Sequence, residues 1–96
     1  MEYIKVQWVH NASGYPILLY SELDDSRFET RKVEIFPDHS IGWAGPSASK
    51  GDTRLGEKPV PPIEETALDK EFRPEIISAD LFESIWRSRF KTNLPD

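Results

Sequence analysis

The stretch ILLYSELDDSRFETRKVEIF, Ile17 to Phe36, decides the fold. Ile17, Leu18, Leu19 and Tyr20 form an apolar run directly after Pro16, the pattern of a buried strand with a clean start, here extended over about 17–22. From Phe28 the residues alternate. Glu29, Arg31, Val33 and Ile35 fall on one side, and Phe28, Thr30, Lys32, Glu34 and Phe36 on the other. Side chains on a strand point to opposite faces with period two, so this predicts a second strand over 28–36. The intervening SELDDSR is rich in Asp and Ser, which bond their own backbone and favour turns. The product is an antiparallel hairpin whose tip carries Glu22, Asp24, Asp25, Arg27, Glu29 and Arg31. Such a cluster reads in two ways. It is a recognition surface, with guanidiniums suited to bidentate bonds, or it is a set of cross-strand pairs that keep the hairpin soluble.

On the N-terminal side, Tyr3 to Val9 alternates, with Ile4, Val6 and Trp8 on one face, and predicts a first strand over 3–9. HNASGYP then makes a turn. On the C-terminal side, residues 40–44 (SIGWA) supply a short further strand, in which Gly42 marks a bulge or a close backbone approach. Short connections favour an antiparallel meander of about four strands. GPSASKGDTRLGEKPVPP, residues 45–62, is one long Gly/Pro-rich loop. It is no phosphate-binding loop, because Lys50 precedes Gly51 where that motif needs Gly, Lys, then Ser or Thr. A short helix is expected over 62–68, with Pro and acids at its start, and Glu75-Ile76-Ile77 reads as a short strand or a connector. The longest helix is predicted over 79–91: Ser78 is its N-cap, and Leu81, Phe82, Ile85, Trp86 and Phe90 form its apolar stripe. Arg87, Arg89 and Lys91 suit its negative end, and Asn93-Leu94-Pro95-Asp96 stops it. The expected fold is α+β, a single domain over 1–96 in which one C-terminal amphipathic helix covers the sheet.

Composition excludes several classes. With no cysteine there is no disulfide and no thiolate metal site. Seventeen acidic against twelve basic residues give a net charge of −5, which disfavours nucleic acid as a partner. The two histidines, His10 and His39, fall in turns without convergent ligands, so no metal or other cofactor is expected. No GxSxG or HExxH motif is present. No basic-then-apolar leader opens MEYIKVQWV and no apolar run approaches a membrane span, so a cytoplasmic location is expected.

The segments ILLYSELDDSRFETRKVEIFPD, IGWA, LGEKPVPPIEE and EIISADLFESIW together resemble a family of small bacterial proteins known only as a domain of unknown function. The most specific parts of the likeness are YSELDD and the following ExRKVExF. The resemblance implies a compact α+β domain in a bacterial cytoplasm and carries over no catalytic residue, substrate or cofactor. The turn Pro37-Asp38-His39-Ser40 lacks Asp-Gly, so its hairpin type stays open.

Small size, acidic balance and a charged tip point to a non-catalytic protein-binding module, of which a toxin-neutralising immunity protein is the specific version. Glu22, Asp24, Asp25 and Glu29 would meet a basic face of the partner, with Trp43 as an aromatic anchor. The alternative is a small anionic-ligand binder or modest enzyme. It would use Arg27 and Arg31 to hold the ligand, Glu29 or Asp24 as acid/base, and the 45–62 loop as a lid.

Overall fold

A computed structural model describes residues 1–90 of the chain. Six strands, all antiparallel to their neighbours, form one sheet: β1 (Glu2–Trp8), β2 (Leu18–Leu23), β3 (Glu29–Ile35), β4 (Ile41–Ala44), β5 (Ser49–Lys50) and β6 (Phe72–Ile77). Two helices, α1 (Ile63–Thr66) and α2 (Ala79–Arg87), accompany the sheet among the described residues. The spatial order is β5-β4-β3-β2-β1-β6. The α+β class stands, but the expected four-strand meander and single covering helix are corrected. β5 arises within what reads as the 45–62 loop, β6 returns to the far edge beside β1, and α1, within the short helix expected over 62–68, is a second helix beside α2. Ser49–Lys50 is too short to show alternation, and of β6 only Glu75-Ile76-Ile77 reads in sequence as a short strand or connector, because Pro74 interrupts the run. A strand containing Pro is tolerated at a sheet edge, and β6 is an edge strand. α2 ends at Arg87 with Ser88 as its C-cap, short of the expected end at 91, and Lys91 and the Asn93–Asp96 stop lie outside the described residues.

The two faces of the sheet are covered differently. On one face Tyr20, Val33, Ile35 and Trp43 meet Phe82 and Ile85 of α2 to form the buried core. Tyr20 pairs with Val33 and Val33 with Trp43, so these residues line up across strands on one face. Ser78 caps α2, its Oγ accepting from Leu81 N at 3.0 Å, and turns the chain from β6 back over the sheet. Phe82 and Ile85 are fully buried, so the predicted stripe does face the sheet, while Phe90 beyond the helix is exposed.

On the opposite face lie Ile4, Val6, Leu19 and Ser21, paired as Val6↔Leu19 and Ile4↔Ser21. Here the chain leaves β5, crosses the sheet as residues 51–71 and becomes β6. The crossing is pinned by polar contacts: Thr53 Oγ1 donates to Glu34 at 2.8 Å, and Lys32 Nζ to Arg54 O at 3.2 Å. Gly42 is the close-approach glycine, because a Cβ there would lie 2.1 Å from Thr53 Oγ1.

Candidate functional site

The β2–β3 tip is a turn built by Asp24. Its Oδ1 accepts from Ser26 N at 2.9 Å and Phe28 N at 3.0 Å, while Arg27 N bonds Asp24 O at 2.9 Å. Arg27 takes a left-handed conformation (φ 67°) to close it. His39 does the same (φ 68°) in the Phe36–Ser40 turn, which answers how that hairpin closes without Asp-Gly.

Both guanidiniums of the tip are engaged inside the molecule. Arg27 pairs with Glu2 and donates to Val60 O at 2.8 Å and Pro61 O at 3.0 Å, clamping the tip to the segment that leads into α1. Arg31 is bidentate to Glu22 (2.9 and 2.6 Å) and bonds Glu83 of α2 (3.0 and 2.7 Å). Its guanidinium lies over the rings of Phe82 and Trp86, at 5.0 and 5.2 Å. Glu22 is buried, and Thr30 Oγ1 also donates to it at 2.7 Å. The hydrogen bonds from Arg31, ahead of those from Thr30 and Tyr3, hold the Glu22 carboxyl down to about 2 against the upward pull of burial. Glu83 is lowered too, first by Arg31. Arg31 is therefore the bolt between the sheet and α2.

Glu29 is not where strict alternation puts it. The register shifts between Glu22 and Leu23, so Arg31 pairs with Glu22 but Glu29 with Leu23, leaving Thr30 as the extra residue of a bulge. Glu29 thereby turns to the face away from Arg31. There its carboxylate accepts from Ser21 Oγ at 3.0 Å and Gly56 N at 2.7 Å and pairs with Lys32 at 3.0 Å. Trp43 is 8% exposed. It packs edge-on to Trp86 at 5.7 Å beneath the Arg89 guanidinium at 4.6 Å, so it belongs to the core.

Of the singled-out residues, then, Glu22, Arg31, Arg27, Glu29 and Trp43 are held by internal contacts, Asp24 forms the turn, and Asp25 stands exposed. The structure adds what sequence alone misses. Glu2 and Glu83 supply the counter-charges to Arg27 and Arg31. Glu83 carries one legible signal: it lies between Phe82 and Ile85 on the helix, close to the apolar stripe. The Arg27 clamp also ties the tip to the segment that leads into α1, whose first-turn acids Glu64 and Glu65 are exposed. Among the described residues no group of three or more His, Cys, Asp or Glu side chains is arranged to hold a metal, and no helix is long and apolar enough to cross a membrane.

Fold and site together define a small α+β sheet domain with an internally paired charged hairpin and an acidic rim. The chain belongs to the family described as Domain of unknown function (DUF6881), whose model matches residues 2–91, nearly its whole length. The resemblance drawn from its sequence to a domain of unknown function is thus correct. No curated protein and no solved structure matches it.

Proposed function

We infer that this protein is a non-catalytic protein-binding module of a bacterial cytoplasm, engaging a partner through that partner's basic face, in the manner of an immunity protein that neutralises a toxin. One observation carries the reading. The cations of the tip are engaged inside the molecule, Arg27 with Glu2 and Arg31 with Glu22 and Glu83, while Asp25, Glu64 and Glu65 remain exposed on connected segments. What the tip and α1 offer a partner is therefore acidic. Complementary charge accelerates encounter and selects against acidic competitors. The net charge of −5 acts in the same direction at long range.

The choice of variant matters. Asp24 cannot be reversed without breaking the turn it builds, so the test uses Asp25→Lys/Glu64→Lys/Glu65→Lys. Affinity capture from native lysate, compared between the native chain and this variant, should return a stoichiometric basic protein with the native chain. The variant should lose it by about tenfold or more at low salt, and high salt should release it from the native chain. Equal recovery by both chains would remove this face from the interface.

A further inference from the structure

The sheet face opposite α2 holds a cleft of about 410 Å³, within the range of small-molecule sites. Ile4, Val6 and Leu19 form its floor, Phe72 one wall, and Ile63 and Thr66 its roof. Its existence is unexpected from packing alone. β1 and β2 are inner strands with a neighbour on each side, and on the α2 side Tyr20 is 1% exposed. On the cleft side Val6 and Leu19 are only half-buried, and α1 above them buries no residue. An apolar gap of this kind ordinarily collapses. Here the roof is tethered by hydrogen bonds at its approaches, Arg27 Nε to Val60 O at 2.8 Å and Gly56 N to Glu29 at 2.7 Å, and by the pairing of β6 with β1. It stands off the floor as a preformed pocket.

The charge of the lining is one-sided. Among the described residues Glu29, Glu65 and Asp69 line the cleft, and no Lys, Arg or His does. Glu29 is already met by Lys32, Ser21 and Gly56, so Glu65, and Asp69 through the oxygen that does not accept from Glu71 N, are the carboxylates that can act on a ligand. We propose that this cleft binds a small organic cation, an apolar body carrying a protonated amine: the body lies on Ile4, Val6 and Leu19, and the ammonium faces Glu65 and Asp69. An anion of the same shape is repelled by the same groups.

Titration of the ¹⁵N-labelled chain with phenethylamine, followed by amide shifts, tests this. Saturable shifts confined to Val6, Leu19, Ile63, Thr66 and Phe72 are expected in the millimolar range. The anion 3-phenylpropionate, with the same phenethyl body, should bind at least about fivefold more weakly. Glu65→Gln/Asp69→Asn, which keeps the Asp69 Oδ1 acceptor for Glu71 N, should weaken the amine about threefold and leave the spectrum otherwise folded. Thr66→Trp, which fills the cleft from its roof, should abolish the shifts. Absence of saturable shifts, shifts that map elsewhere, or equal binding of amine and carboxylate overturns the proposal. Because the probe is a small molecule, its result is independent of partner capture.

Discussion

At the scale of single residues, two left-handed positions behave differently. His39 is exposed and strained by its positive φ, which costs a non-glycine residue about 1 kcal/mol. His39→Gly should raise stability by about 0.5–1 kcal/mol in chemical denaturation. Arg27→Gly relieves the same strain but removes the clamp to Glu2, Val60 and Pro61, so it should lower stability. Glu22 links stability to pH. Its folded carboxyl sits at about 2, below the unfolded value, so its contribution is complete above the ordinary glutamate range. That contribution falls away as pH drops from about 4.5 towards 2, and is on the order of 3 kcal/mol when intact. Denaturation midpoints measured from pH 7 to about 2 should show this loss in the native chain and a flatter profile in Glu22→Gln.

At the scale of elements, the hairpin and α2 were legible because each has a strong period. Alternation from Val33 to Ile35 and the stripe Leu81, Phe82, Ile85, Trp86 need no tertiary information to read. The rest depends on contacts distant in sequence. The bulge that turns Glu29 away from Arg31 is set by pairing with β2, and β6 is a strand because β1 offers an edge to pair with. Glu22 pairs with Arg31 across the hairpin, but Glu2, which pairs with Arg27, and Glu83, the other partner of Arg31, lie 25 and 52 residues away, beyond any local pattern. The crossing segment was legible as a loop followed by a short helix, but its approach to the sheet showed only through Gly42, as a position of close approach. Gly42→Ala should displace Thr53 from Glu34 and loosen the crossing, at a cost of about 1–3 kcal/mol. Much of that loss should return in Gly42→Ala/Thr53→Ala, as read by a double-mutant cycle of melting temperatures.

At the scale of the whole molecule, the sheet separates two tasks. The α2 face is closed by a packed core and bolted by Arg31, while the opposite face is spanned by a tethered crossing that leaves a cleft and carries the acids of α1. Charges within one hairpin are divided accordingly, those of Glu22 and Arg31 inward and that of Asp25 outward. This division is the basis of the functional reading, and the family match to a domain of unknown function leaves it open to experiment. The most direct test measures melting and partner capture in parallel for two variants. Asp25→Lys/Glu64→Lys/Glu65→Lys should melt within a few degrees of the native chain and lose the partner. Arg31→Met should lose about 3 kcal/mol or more by leaving Glu22 unpaired, yet keep the partner at temperatures where it is folded. The reverse pattern, with the partner lost through Arg31 and kept by the triple variant, would contradict the account.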